Sequence, residues 1–185
     1  LNQRGLSMDS ECCNRVPQCG YYLNRVAPTP LVPLRLTENC AEIWCKLEFF
    51  NPSGSTKDRI ARYMVEKAWR AGRVKRGGWV VEASSGSTSI ALAVVCAQMG
   101  LKFLAVMPEG VSNERLLTIR AYGGQTLAIP KSEGMRGAIA RAALEAERRG
   151  GITTSQFENT DNSEAHRKST AQEIINQIPG GLVEA

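Results

Sequence analysis

The chain has 185 residues and a formal net charge of +5, and 43% of its residues are hydrophobic while 22% are charged. These values are typical of a globular domain and exclude a disordered or fibrous chain. The basic residues follow predicted helix faces without a groove-reading motif, so we expect no nucleic-acid partner. The most apolar run, residues 90–97, is too short to cross a bilayer, and we expect no membrane association.

The six cysteines lack the CxxC pairs typical of zinc sites, and the chain has a single histidine, so we expect no metal site. Cys96 lies in an apolar run, where a free thiol packs as a small hydrophobe. The N-terminal residues lack the apolar core of a signal peptide. We therefore expect a cytoplasmic protein with free thiols.

The hydrophobic pattern predicts secondary structure from residue 29 onwards, whereas residues 1–25 show no period and are expected to form an irregular extension. A helix with Lys57 in its first turn is predicted to end at Gly72, where a glycine stops it. The other predicted helices cover 90–99, 113–122, 133–149 and 163–178. Strands are predicted over 30–34, 42–48, 79–82, 102–107 and 125–129, with a strand or extended piece over 152–157.

The alternation of strands and helices from residue 79 onwards predicts the fold class. Connections this short favour parallel strands joined by crossover helices. The 90–99 helix is apolar on nearly every side, so other layers must cover it. We expect an open parallel sheet with helices on both faces, a three-layer α/β arrangement.

The first loop with candidate functional residues is the run SGSTKDR, residues 53–59, which contains Lys57. A lysine in the first turn of a helix meets the positive end of the helix dipole, which disfavours a cation. That field suits an amine that must lose its proton to attack an aldehyde. From the pattern alone, a capped helix with Lys57 in solvent explains the same residues.

The second loop, SSGST at residues 84–88, lies between a predicted buried strand and a predicted buried helix. It places hydroxyls and backbone N–H groups at a helix N-terminus, where a carboxylate or phosphate binds well. Simple N-capping by serine and threonine is the alternative, and composition does not decide between the two.

Longer motifs carry a resemblance to a known family. The run KLEFFNPSGSTKDR, residues 46–59, resembles the lysine motif of pyridoxal-phosphate (PLP) dependent cysteine synthases and cystathionine β-synthases. The run VEASSGSTSIALA, residues 81–93, is similar to the substrate-carboxylate loop of that family. Further matching segments follow in the same order: MPE at 107–109, RAYGG at 120–124, QFEN at 156–159 and HR at 166–167. The resemblance is collinear from about residue 29 to the last residue.

The resemblance implies PLP fold type II and a division of the chain. Residues 51–152 would form a small α/β domain, and residues 26–50 and 153–185 would form part of a large domain. The family's phosphate-binding Gly-Thr-Gly-Gly-Thr loop has no counterpart up to Ala185. We therefore expect the chain to correspond to the N-terminal part of such an enzyme, with the C-terminal half absent. A homodimer is expected for the full-length form.

The resemblance also implies roles for individual residues. Lys57 would hold PLP as a Schiff base and later move the α-proton of the amino acid. Gln156 would complete a clamp on the substrate carboxylate that is formed by the loop at 84–88. The other members of that clamp are Ser84, Ser85, Gly86 and Thr88. Ser87 stands where the family usually has an asparagine that contacts the cofactor, and Ser89 replaces a usual glycine. His166 has no evident base partner in the sequence, and we expect a structural role for it.

The implied activity is β-replacement on an activated serine, with sulfide or another thiol as nucleophile, to form cysteine. Cystathionine β-synthase and cysteine desulfhydrase activities remain open, because the motifs do not encode the nucleophile pocket. A truncated, non-catalytic relative also remains open, on the strength of Ser87 and the missing phosphate loop. A dinucleotide-binding domain is disfavoured because no G-x-G-x-x-G follows a predicted strand.

Overall fold

The computed structural model describes residues 23–38 and 41–181. Its helices are listed here in chain order: α1 (Lys57–Arg70), α2 (Ser87–Met99), α3 (Asn113–Ala121), α4 (Gly134–Arg148), α5 (Asp161–Lys168) and α6 (Thr170–Gln177). Its strands are β1 (Leu31–Leu34), β2 (Ile43–Lys46), β3 (Trp79–Ala83), β4 (Lys102–Pro108), β5 (Gln125–Ile129) and β6 (Ile152–Thr153). None of the described helices has the length and apolar character that a membrane span requires.

Four parallel strands form the main sheet in the order β5-β4-β3-β6, and β1 and β2 form a separate antiparallel pair. In the register of the main sheet, Val81 of β3 lies opposite Leu104 of β4, and Val106 lies opposite Leu127 of β5. The central strand β4 is buried over five consecutive residues. A parallel strand that is covered on both faces has apolar residues at consecutive positions, which explains the sequence FLAVM in β4.

Side chains of β3 and β4 alternate between two cores, one on each face of the sheet. Val80 and Phe103 pack in the larger core with α1, α2 and α3. Val81 and Leu104 pack in the smaller core against small side chains of α4, such as Ala138 and Ala142. Helices on both faces of a parallel sheet confirm the predicted three-layer α/β class.

The α2 helix is buried on nearly all sides, as its sequence predicted. It begins at Ser87, three residues before the predicted start, so the serine and threonine that were assigned to a loop form its first turn. Gly100, with φ of 67°, adopts the left-handed conformation that ends the helix. Cys96, near the end of α2, is only 1% exposed.

Two other predicted elements differ from the structure. The predicted strand or extended piece at 152–157 pairs as a strand only over Ile152–Thr153, because the chain then turns at residues 156–158. The predicted helix at 163–178 is instead α5 and α6, separated at Ser169. The Ser169 hydroxyl donates to the carbonyl oxygen of Ala165 at 2.7 Å, a back-bond that bends helices.

Most of the expected irregular extension, residues 1–22, lies outside the described residues. Its last three residues, Leu23–Arg25, form a 3₁₀ turn, and Leu23 packs into the larger core at 3% exposure. The end of this segment therefore contributes to the fold. Cys45 and Cys96 are free thiols, and the other four cysteines lie outside the described residues.

Candidate active site

The loops that follow β3 and β6 meet at the carboxyl-terminal edge of the sheet, since both strands are parallel members of it. The Thr88 hydroxyl donates to Gln156 Oε1 at 2.7 Å. Gln156 Nε2 in turn donates to the carbonyl oxygen of Ala83 at 3.0 Å. The structure therefore brings together two predicted site residues that are 68 positions apart in the sequence.

The 84–88 loop is held rigidly between β3 and the first turn of α2. The Ser84 N–H donates to Val106 in the neighbouring strand at 3.1 Å, and the Ser84 carbonyl accepts the hydroxyl of Ser89 at 2.7 Å. The Gly86 N–H donates to Ser84 Oγ at 3.3 Å. Arg115 of α3 donates from Nη1 to the carbonyl oxygen of Ser85 at 3.2 Å. The loop geometry thus depends on three neighbouring elements.

The first turn of α2 presents backbone donors without an internal acceptor. Within the described residues, no carbonyl or side chain accepts the N–H groups of Ser87 and Thr88. No acidic residue occupies this turn. Free N–H groups and the positive end of the helix dipole together favour a bound anion such as a carboxylate. Ser87 itself is exposed, and its predicted contact with a cofactor stays a prediction.

Lys57 is the first residue of α1 and is half-buried. Its backbone N–H donates to Ser55 Oγ at 3.2 Å, while its Nζ has no hydrogen-bond or ion-pair partner within the described part of the chain. The preceding turn is fixed by the buried carboxylate of Asp58, which accepts the Ser53 N–H at 3.0 Å and the Ser53 hydroxyl at 2.5 Å. An uncommitted amine on a fixed turn fits the attachment of an aldehyde-bearing cofactor.

A buried ion-pair network anchors α1 two residues after Lys57. Arg59, whose side chain is 1% exposed, contacts Glu48 at 2.7 Å and Glu173 of α6 at 2.6 Å. Its Nη2 also donates to the hydroxyl of Thr29 at 3.0 Å. Charged groups that are buried this deeply must be paired, and here each is. Arg59 belongs to the motif at residues 46–59, but nothing in that motif indicates this ion-pair network.

His166 lies in α5, and its Nδ1 is 2.9 Å from Thr170 Oγ1. Burial lowers the pKa of His166, and the positive charges of Lys57 and Arg59 lower it further. Ala165 of α5 packs against Ile60 and Met64 of α1, so α5 lies beside that helix. The structural role expected for His166 stays a prediction. Within the described residues, no group of three or more His, Cys, Asp or Glu side chains is arranged to hold a metal ion.

Comparison with known proteins gives the family. Residues 22–185 match the model of the family described as "Pyridoxal-phosphate dependent enzyme". The chain belongs to this family. The cysteine synthase of Staphylococcus aureus (strain Mu50) is 44% identical over 162 residues, which cover 86% of this chain and 52% of that protein. Cysteine synthase B of Salmonella typhimurium is 42% identical over 159 residues, covering 85% of this chain and 52% of that protein.

Solved structures of family members share the fold. An O-ureido-L-serine synthase superposes with a TM-score of 0.84 at 38% identity, covering 88% of this chain and 52% of that one. The O-acetylserine dependent cystathionine β-synthase of Helicobacter pylori gives a TM-score of 0.79 at 32% identity, covering 85% and 53%. The chain thus has the α/β fold of these PLP fold type II enzymes. It spans about half the length of the curated relatives that it matches.

Proposed function

We propose that this chain supplies the lysine and the carboxylate-binding site of a PLP-dependent enzyme that makes cysteine by β-replacement on an activated serine. The observation that carries the proposal is the geometry of the two helix N-termini. Thr88 and Gln156 meet at 2.7 Å beside the first N–H groups of α2, and α1 begins with Lys57; neither these N–H groups nor the lysine amine has a partner among the described residues. Membership of the PLP family and the likeness to cysteine synthases support it.

Each residue would have a distinct task. Lys57 Nζ would hold the cofactor covalently and would later accept the α-proton of the amino acid. When bound, PLP supplies an electron sink for the charge that develops on the α-carbon. Ser87, exposed at the start of α2, would contact the cofactor, although a serine offers a shorter reach than an amide.

The substrate carboxylate would bind to the first turn of α2 and to the loop before it. Hydroxyls of Ser84, Ser85 and Thr88, together with N–H groups that include that of Gly86, would donate to its oxygens. Thr88 and Gly86 would then exchange their present acceptors, Gln156 Oε1 and Ser84 Oγ, for the carboxylate. Gln156 would close the clamp from the other side. A carboxylate fixed at two oxygens orients the Cα–H bond toward a base, which favours proton abstraction.

The likeness to a cystathionine β-synthase supports a second candidate, in which a larger thiol replaces sulfide as the nucleophile. Cysteine desulfhydrase activity uses the same residues, and it is favoured by the likeness to a hydrogen sulfide-producing enzyme of Fusobacterium nucleatum. We further propose a cytoplasmic homodimer for the full-length form and a small domain at residues 51–152. The homodimer and the domain division rest on the family resemblance, and the cytoplasmic location rests on the sequence composition.

The test is an absorption spectrum of the chain with PLP before and after borohydride reduction, with mass spectrometry to locate the label. We expect a visible band and a single reduced adduct at Lys57. Lys57→Ala should abolish the adduct while circular dichroism stays unchanged. Lys102→Ala, which removes an exposed lysine at the start of β4, is the matched control and should keep the adduct. Labelling scattered over surface lysines would contradict the proposal and favour a non-catalytic relative.

A further inference from the structure

Glu82 is a buried carboxylate to which the sequence assigned no role. It lies next to the last residue of β3 and is only 3% exposed. One of its oxygens accepts the N–H of Ala83 at 3.1 Å, and the other accepts the hydroxyl of Thr154. Burial raises the pKa of Glu82, whereas Thr154 and backbone N–H groups that include those of Ser155 and Gln156 oppose this rise.

The contacts of Glu82 control a loop with an unusual backbone. After β6 the chain turns sharply, and Ser155 adopts a left-handed φ of 50°. The Thr154 carbonyl accepts the side-chain N–H of Asn159 at 3.0 Å, and the Asn162 amide donates to the Gln156 carbonyl at 2.9 Å. A non-glycine residue holds such a conformation only where surrounding contacts fix it. Glu82 supplies the contacts from the sheet side.

The same loop carries Gln156 to the predicted carboxylate site. Glu82 and Gln156 both bind the end of β3: Glu82 accepts the N–H of Ala83, and Gln156 donates to its carbonyl oxygen. Gln156 Oε1 thereby reaches the hydroxyl of Thr88. An apolar residue at position 82 would avoid the cost of burying a charge, but it would leave Thr154 and the loop N–H groups without this acceptor.

We propose that Glu82 is a positioning residue that anchors the 154–156 loop to β3 and thereby sets the affinity of the Thr88–Gln156 clamp for an α-amino-acid carboxylate. This role rests on the carboxylate-binding function proposed above, and it makes the carboxylate affinity of that site depend on Glu82. Glu82 acts only through Thr154 and the loop backbone, and it does not contact the substrate.

The test uses two variants that remove the same contact from opposite sides, Thr154→Val and Glu82→Leu. Each variant is loaded with PLP and titrated with L-serine, and the visible spectrum gives the dissociation constant. We expect both variants to bind L-serine about tenfold more weakly, the equivalent of one lost hydrogen bond, while PLP uptake is unchanged. Glu145→Gln is the control, because Glu145 is also 3% exposed but lies on α4 and pairs with Arg141 and Arg149.

A second measurement does not require the ligand. The signal of the Gln156 side-chain amide can be assigned in nitrogen-15 spectra, because it disappears in Gln156→Ala. In Thr154→Val this signal should shift, and the amide protons should exchange faster with solvent. If the spectrum of the PLP-loaded wild type does not change with L-serine, the proposed function is wrong. The Gln156 amide signal would still show whether Thr154 and Glu82 position the loop. If Thr154→Val leaves both the amide signal and the L-serine affinity unchanged, the positioning role is wrong. Because Thr154→Val removes only a hydroxyl, it decides the question even where Glu82→Leu fails to fold.

Discussion

The Arg59 network makes a quantitative prediction for the variant Arg59→Met. Methionine retains much of the apolar volume of arginine but removes a guanidinium that bridges two carboxylates. Glu48 would lose its ion pair with Arg59, and Glu173 would keep Lys46, at 2.7 Å, and the N–H of Thr29, at 3.1 Å. Both carboxylates would remain largely buried, with side-chain exposures of 17% and 14%. The destabilisation should therefore come from uncompensated negative charge.

The magnitude follows from the pKa of Glu173. Burial alone would raise this pKa, but hydrogen bonds from Arg59 and Lys46 hold it at about 2. A fall from 4.5 to about 2 corresponds to about 3 kcal/mol at most, to which Lys46 contributes a share. Loss of one partner of a buried ion pair typically costs about 3–5 kcal/mol. After discounting for partial exposure and for Lys46, we expect Arg59→Met to lower the unfolding free energy at pH 7 by about 2 kcal/mol.

Urea denaturation followed by tryptophan fluorescence measures this loss. A lowered pKa stabilises the fold above the unfolded value near 4.5, and that stability is lost as the pH falls toward about 2. The difference between wild type and Arg59→Met should therefore shrink from pH 5 to pH 3. Adding Glu173→Gln to Arg59→Met should restore part of the stability, since it removes one unpaired charge.

The control is Arg70→Met on the same helix, which breaks an exposed pair with Glu66 at 3.2 Å and should cost less than about 1 kcal/mol. The reasoning is refuted if Arg59→Met costs no more than this control. It is equally refuted if the deficit of Arg59→Met does not change with pH.

Two further predictions concern the substrate clamp and the packing of the sheet edge. Gln156→Ala should weaken L-serine binding to the PLP-loaded chain about tenfold through the loss of one hydrogen bond to a carboxylate, whereas PLP uptake stays the same; equal losses of both would contradict its role. Gly151→Ala should lower the urea midpoint by the equivalent of about 1–3 kcal/mol, because its new Cβ would lie 2.6 Å from the backbone oxygen of Trp79; an unchanged midpoint would show that the 79–80 backbone can shift.

Much of the fold was predictable because its signals are local. The run FLAVM of β4 is buried on both faces and appears in the sequence as an unbroken apolar segment. Gly100 ends α2 where the sequence placed the end. The start of α2 was wrong by three residues because serine and threonine favour both loops and first helical turns. Ser169 interrupts the last predicted helix through a hydrogen bond that the hydrophobic period does not reveal.

The supporting side chains of the site could not be predicted, since their partners are distant in the sequence. Arg59 and Glu173 are 114 positions apart, and Glu82 and Thr154 are 72 apart. In a half-exposed strand, charged residues that face solvent alternate with apolar residues that face the core. A glutamate at position 82 therefore looks exposed in the sequence, although it is buried in the structure. The motifs that resemble a family pointed to Gln156, and for Lys57 they added to the argument from its position in the first turn of a helix.

The burial of Cys96 makes its alkylation rate a measure of local unfolding. Its thiol is 1% exposed, and burial raises its pKa, so an alkylating reagent reaches a reactive thiolate only when the helix layer opens. Cys45, half-buried on the antiparallel pair, should react without such an opening. Peptide mass spectrometry can follow each site separately. Because Cys96 and the first turn of α2 lie on the same helix, the alkylation rate of Cys96 reports how often that helix opens.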